Sequence, residues 1–170
     1  TVRKYAADTS VPVLINGQEV IQGSNEIIDY LDKHFPERSL TPKDESQRQQ
    51  CLALELEIGE KLGESIRQIL YSTLLAHPSF LRYCFTHTMP KYKQFTFRAC
   101  YPLLRRIMYK RYVVSADCVD KAKKKFDDAI NDLGKKLENR EYLIGDEFSR
   151  ADVTLASMLS FLVKPAEHPF

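Results

Sequence analysis

Five apolar residues, Leu54, Ile58, Leu62, Ile66 and Leu70, recur at intervals of four along the middle of the chain. Only a helix gathers such a series onto one face. The spacing therefore predicts a long amphipathic helix from about Asp44 onward, and with it a helical remainder. A second set, Ala122, Phe126, Ala129, Ile130, Leu133 and Leu137, shares a face further on. Lysines crowd the N-terminal half of that set and oppose the helix dipole, so the helix is expected to start earlier, around Asp117 to Asp120. Between the two stretches, Pro78, Pro90 and Pro102 predict a helix–loop–helix with a kink near Pro102. Near the end, Ser149-Arg150-Ala151-Asp152 is a capping box with Asp in the reciprocal position, and Phe148 and Val153 are placed to staple it. The body DVTLASMLSFLV has so little polar surface that this last helix is expected to be buried on most sides and ended by Pro165.

The residues before Asp44 follow a different pattern. VPVLI is a short β-rich run, Asn16-Gly17 signals a two-residue turn with positive φ at both positions, and EVI returns as the partner strand. Pro12 cannot donate to a ladder and marks a strand start or an edge. A Val-Pro step is also one that accepts the cis form. Ile27, Ile28 and Leu31 then make the apolar face of a helix, with Ser24 placed to cap it and Glu26 in its first turn. Pro36 to Asp44 reads as a linker.

Composition narrows the classes. At 44% hydrophobic and 28% charged residues, the chain is ordinarily globular, not disordered or fibrous. No apolar run approaches the roughly 20 residues needed to span a bilayer. The N-terminus does not read as a signal peptide, so a cytoplasmic address and no membrane partner are expected. Cys51, Cys84, Cys100 and Cys118 form no CxxC pair and read as free, buried or half-buried small hydrophobes. No histidine stands at metal spacing from them, and no metal site is expected. His34, His77, His87 and His168 are scattered, and none is assigned to catalysis. The formal net charge is only +2, yet Lys91 to Lys125 is strongly basic, with Arg105, Arg106, Lys110, Arg111 and Lys121 among the cations. This stretch reads as a solvated face, as a field drawing an anionic substrate, or as a nucleic-acid surface. No recognition motif accompanies it, and no nucleic-acid partner is expected.

Two stretches carry a resemblance. VPVLINGQEVIQGSNEIIDYLDKHFP resembles the second half of the N-terminal, thioredoxin-like domain of cytosolic glutathione transferases. YLIGDEFSRADVTLASML resembles the capping box and staple of the buried sixth helix in the second domain of the same family, with a bacterial-type flavour. The resemblance implies an α/β thioredoxin-like remnant, a β-hairpin plus helix, over residues 1–38, and an all-α C-terminal domain over residues 39–170. No β-α-β pattern precedes VPVL, and a two-stranded sheet is marginal alone. The N-terminal part of the thioredoxin-like domain is therefore expected to be absent, about 50 to 60 residues of it by the size of a βαβ unit. The catalytic Tyr, Ser or Cys is expected in that missing segment.

Residue by residue, the resemblance makes Pro12 the family's cis-proline, with the Val11 backbone facing the cysteinyl part of glutathione. It makes Ser24 the ligand of the γ-glutamyl carboxylate. A hydroxyl and free N–H groups at a helix N-terminus suit an anion, although a plain N-cap suits Ser24 as well. Gly23 departs from the Glu, Gln or Asp common in the family, and Gln22 stands one place earlier. Ser149 and Asp152 match residues that serve folding.

The implied reaction is attack of a glutathione thiolate on an electrophile, which requires a lowered thiol pKa. Glutathione enters as substrate, without a metal. An apolar pocket for the second substrate is expected from Ile66, Arg67 and Tyr71 with Tyr101 and Met108, residues for which core packing is the plainer role. Arg67, Arg105 and Arg106 are candidates for a substrate carboxylate or for the solvent face. The alternatives are a non-catalytic scaffold, toward which Gly23 leans, and a glutathione-dependent reductase or isomerase. The family also implies a homodimer, with Phe80, Tyr83 and Phe85 as candidate contacts.

Overall fold

The computed structural model describes residues 2–6, 8–112 and 115–163. After a 3-10 turn at Val2–Lys4, two antiparallel strands follow, β1 (Val13–Asn16) and β2 (Glu19–Gln22), and then helix α1 (Ser24–His34). A second 3-10 turn, Pro36–Arg38, leads to the helices α2 (Glu45–Ala76), α3 (Pro78–Thr86), α4 (Lys91–Tyr112), α5 (Ala116–Leu137) and α6 (Arg150–Val163). Two compact units result. One comprises Thr1–Glu55 with Asn139–Ala156, the other Leu56–Glu138 with Ser157–Phe170.

In the first unit the hairpin forms where the β-rich runs predict it, but one residue out of the expected turn. Asn16 pairs with Glu19, so the turn residues are Gly17 and Gln18. Gly17 alone has positive φ, at 60°, which fits a turn with glycine at its first central position. Asn16 is retained in the strand by its side chain. Its Nδ2 donates to Tyr30 Oη at 2.8 Å, and Tyr30 Oη donates to Glu19 Oε2 at 2.7 Å. The expected linker is held at both ends. Asp32 accepts the N–H groups of Leu40 and Thr41 at 2.9 and 3.1 Å, and Asp44 accepts that of Gln47 at the start of α2.

In the second unit, Ile58, Leu62 and Ile66 of the predicted stripe are buried. Opposite them, Ala122, Ala129 and Leu133 are the buried positions of α5. Lys136 reaches Glu57, and Lys125 reaches Glu64, from α5 to α2. Ser115 caps α5 by accepting from the Cys118 N–H, so the helix starts slightly before the predicted acids. Helix α4 continues through Pro102, which costs it one backbone bond.

Three expectations need correction. Among the described residues helix α6 buries Arg150, Ala151 and Leu155, while Leu162 and Val163 are exposed. Composition makes the helix low in polarity, but burial needs a partner element that composition does not specify. Cys84 and Cys100 are exposed thiols, because α3 and α4 turn those positions outward, whereas Cys51 is fully buried. Ser24 is not the cap of α1. The capping position belongs to Gly23, without a side-chain bond, and Ser24 is the first helical residue. Pro165 and His168 lie outside the described residues.

Candidate functional site

The start of α1 draws together the residues singled out at the N-terminus. The Val11–Pro12 peptide bond is cis. Pro12 O accepts the Gly23 N–H at 3.1 Å, which brings the approach to β1 against the approach to α1. Gln22 fastens the same loop from the other side, donating through Nε2 to Ser10 O at 2.8 Å, Ser10 Oγ at 3.1 Å and Asp8 O at 3.2 Å. Its amide donor is thus engaged with protein.

Gly23 has a backbone reason. Its φ is 109°, in the region that favours glycine. A Cβ there would also collide with the carboxylate of Glu26, whose Cδ would lie 2.9 Å away. The acid or amide that the resemblance leads one to expect at this place cannot be fitted without moving both. Glu26 instead folds its own carboxylate back toward the first turn, where negative charge is favourable. Ser24 is exposed, and its Oγ makes only a long contact, 3.4 Å, to Asn25 Oδ1. The first amides of α1 have no intrahelical partner, the usual setting for an anion at a helix N-terminus.

Sequence reasoning missed the charge buried behind this turn. Arg150 is only 1% exposed. Its Nη1 donates to Asp29 and, at 3.3 Å, to Thr41 Oγ1, while Nη2 reaches Asn25 O at 3.5 Å. Its Nε lies 2.7 Å from Glu55 Oε2, an ionic contact out of line for a hydrogen bond. Burial lowers the Arg150 pKa, but the hydrogen bond to Asp29 and the charge of Glu55 outweigh it, so the guanidinium is held above its usual value. Its own N–H donates to Leu40 O. The signal in the sequence was a lone arginine in an otherwise apolar helix. Beside it, Asp152 accepts the Leu143 and Ser149 N–H groups at 2.9 Å each and Ser149 Oγ at 2.6 Å.

Of the five residues expected around a second substrate, the structure gathers three. Tyr71, Met108 and Tyr101 pack in one apolar cluster with Leu75 and Leu81. Tyr101 is 7% exposed and its Oη is buried without a partner. Ile66 is buried in the α2 stripe and Arg67 is exposed, and neither belongs to that cluster. Arg105 is not free for a carboxylate. Its Nε and Nη2 both donate to Leu75 O, at 3.3 and 3.2 Å, which satisfies a carbonyl in the last turn of α2. Among the described residues no group of side chains is arranged to hold a metal.

Comparison with known families decides what this arrangement belongs to. The model of the glutathione S-transferase C-terminal domain matches residues 83–168, half of the chain, and that of the glutathione S-transferase N-terminal domain matches residues 2–39. The chain belongs to the glutathione S-transferase family. A thioredoxin-like hairpin and helix followed by an all-α C-terminal domain is that family's architecture. The match over residues 2–39 corrects one expectation: the N-terminal domain is present, not absent. The expectation arose because a full β-α-β pattern was sought ahead of Val11. The hairpin, its approach and α1 carry the domain's identity without it. Among solved structures, the crystal structure of beta-etherase LigF from Sphingobium sp. strain SYK-6 is similar to this transferase-family chain. Its TM-score is 0.67 at 20% identity, over 96% of this chain and 67% of that one. At that identity the likeness is one of fold. No curated protein matches the chain significantly.

Proposed function

We propose that this family member is a glutathione transferase of the cytoplasm, which binds glutathione as substrate and presents its thiolate to a small, apolar electrophile. The glutathione site consists of the Val11 and Pro12 backbone, the Gln22–Gly23 corner and the N-terminus of α1 at Ser24. The observation that carries the reading is the 3.1 Å bond from Gly23 N–H to Pro12 O, because it sets an extended backbone edge next to free helix amides. An edge suits the peptide backbone of glutathione, and the amides suit its γ-glutamyl carboxylate. Tyr71, Tyr101 and Met108 are the residues proposed to contribute to the second-substrate wall, with Ile66 and Arg67 beside them on α2. A homodimer using Phe80, Tyr83 and Phe85, all exposed, completes the proposal.

The test is turnover. The protein, supplied with glutathione and a panel of electrophiles, is expected to form thioether products detectable by mass spectrometry above the rate without protein. Formation of glutathione disulfide or reduced substrate instead would point to reductase chemistry.

A second reading, a non-catalytic member of the family, is favoured by the Glu26 carboxylate lying beside Gly23 at the helix N-terminus, where it competes with an incoming carboxylate. Glutathione binding that appears only in Glu26→Gln would favour it.

A further inference from the structure

The 52 residues from Ser65 to Ala116 contain nine lysines and arginines and no aspartate or glutamate. The whole chain has a formal net charge of +2, so its remainder is net acidic. The cations are concentrated on α3 and α4, and among the described residues none of them is in an ion pair. Solvated surfaces normally mix both signs. A surface that omits one over three helical segments creates a field with a preferred partner.

Between α3 and α4 this field has a concave focus. A cleft of about 390 Å³ is lined by Arg82, Lys91 and Arg98 with Thr86, Gln94, Phe95 and Phe97. That volume is in the range of small-molecule sites. Arg82 is held in place, donating through Nε to Pro78 O at 3.3 Å and lying 5.6 Å from the Tyr101 ring centre. Gln94 Nε2 and Thr86 Oγ1 donate to backbone carbonyls, Met89 O and Arg82 O. Three cations thus face one cavity with no carboxylate to balance them.

The rim of the same cleft is apolar in an unusual way. Helix α4 turns Phe97, Tyr101 and Met108 inward to the cluster around Leu75 and Leu81. It carries a second apolar stripe on the opposite side: Phe95, Ala99, Leu103 and Ile107, four residues apart. Phe95, Leu103 and Ile107 are 74%, 65% and 55% exposed. Tyr92 stands beside them, 68% exposed. Lys91, Arg98 and Arg105 flank this stripe on one side and Lys93 and Arg111 on the other, by helical spacing. A helix with an exposed apolar stripe between cationic borders suits the boundary between lipid headgroups and acyl chains.

We propose that the outward stripe of α4, with the cationic cleft beside it, docks on a membrane surface rich in anionic lipid. A phosphate headgroup would sit in the cleft of Arg82, Lys91 and Arg98, and the Phe95–Leu103–Ile107 stripe would enter the acyl boundary. The absence of a membrane partner was expected because no apolar run is long enough to span, and no helix among the described residues is long and apolar enough to cross a membrane. Peripheral docking needs no such helix. A second copy of the outward α4 stripe is a poor occupant, since a twofold contact there would set cations against cations, and the dimer contact proposed at Phe80, Tyr83 and Phe85 lies on α3 rather than on that stripe. A nucleic acid would use the cations and rings but leave Leu103 and Ile107 exposed. The proposal is independent of the transferase reading.

The experiment is flotation of the intact protein with vesicles of phosphatidylcholine alone or mixed with phosphatidylserine, over a range of salt. Binding is expected to the anionic vesicles only and to weaken steeply with salt. Lys91→Glu with Arg98→Glu is expected to weaken it about thirtyfold or more, given the worth of each cation near such a surface. Phe95→Ser with Leu103→Ser removes the salt-resistant part. Lys124→Glu, an exposed lysine of α5, leaves binding unchanged. All these positions are exposed, and should a variant fail to fold, the lipid and salt dependence of the wild type still decides. No partition onto anionic vesicles, or equal partition onto neutral ones, overturns the proposal. So does saturable binding of inorganic phosphate or single-stranded RNA under conditions where vesicles do not bind. A dimer that Phe95→Ser with Leu103→Ser dissociates overturns it as well, because a second copy would then be the occupant.

Discussion

The unit around α1 buries two charged side chains, Arg150 and Glu55, whereas the α3–α4 pair exposes several large apolar ones. In the first, Arg150 is enclosed by Asp29, Glu55, Thr41 and the Asn25 carbonyl, and Asp152 satisfies two backbone N–H groups and a hydroxyl. In the second, cations without ion pairs border Phe95, Leu103 and Ile107 in solvent. The difference shows what each region is for. A buried ion cluster seldom adds net stability over an apolar core, but it fixes one arrangement, because every partner left alone is costly. An exposed apolar stripe adds nothing to folding and is retained for contact.

The contrast can be broken most forcefully at Arg150. Arg150→Met leaves the Glu55 carboxylate buried without its cation and is expected to cost about 3–5 kcal/mol in urea unfolding. Adding Glu55→Met should restore much of that loss, since the penalty is the stranded charge rather than the missing pair. Asp152→Ala orphans the Leu143 and Ser149 amides and should cost about 2–3 kcal/mol, read by thermal or urea denaturation. Gly23→Ala imposes a positive φ on a residue with a Cβ and displaces Glu26, for about 1–2 kcal/mol. On the other side of the contrast, Phe95→Ser and Leu103→Ser should each stay within about 0.5 kcal/mol of wild type. A larger loss would mean that the stripe is packed after all.

The smallest effect concerns pH. The hydrogen bond from Lys61 holds Glu57 below its usual pKa, and that from Lys125 does the same for Glu64. Both carboxylates are lower in the folded state, so their contribution is present above the ordinary value of 4.5 and is lost as pH falls through the lowered folded values. Both pairs are solvent-exposed, so the loss should be slight and should fade with added salt. A steep loss of stability between neutral pH and 4.5 would contradict it.

Periodicity made the helices legible. The four-residue series in α2 and the capping box before α6 each mark an element that forms, because such patterns are local consequences of one backbone geometry. The hairpin was legible as a hairpin, but its register was not. Asn16 and Gly17 both suit a turn, and the choice fell to the Asn16–Tyr30–Glu19 hydrogen bonds, which bring in a residue 14 positions away. Burial of α6, exposure of Cys84 and Cys100, and the partners of Arg105 and Arg150 depend on which elements meet in space, and spacing along one element carries no record of that. At the candidate site the residue types were readable. Backbone geometry was a readable reason for Gly23, and its φ of 109° agrees, but the path of the Glu26 side chain was not readable, since it depends on how that side chain folds back.

Calorimetric titration of glutathione into the intact wild-type protein and into Ser24→Ala tests the proposed site most directly. A glutathione site at the start of α1 predicts saturable one-site binding that the substitution weakens about tenfold or more, or roughly 1.4 kcal/mol. No detectable binding to the wild type, or equal affinity in both proteins, would contradict it and leave Ser24 as an ordinary residue in the first turn of a helix.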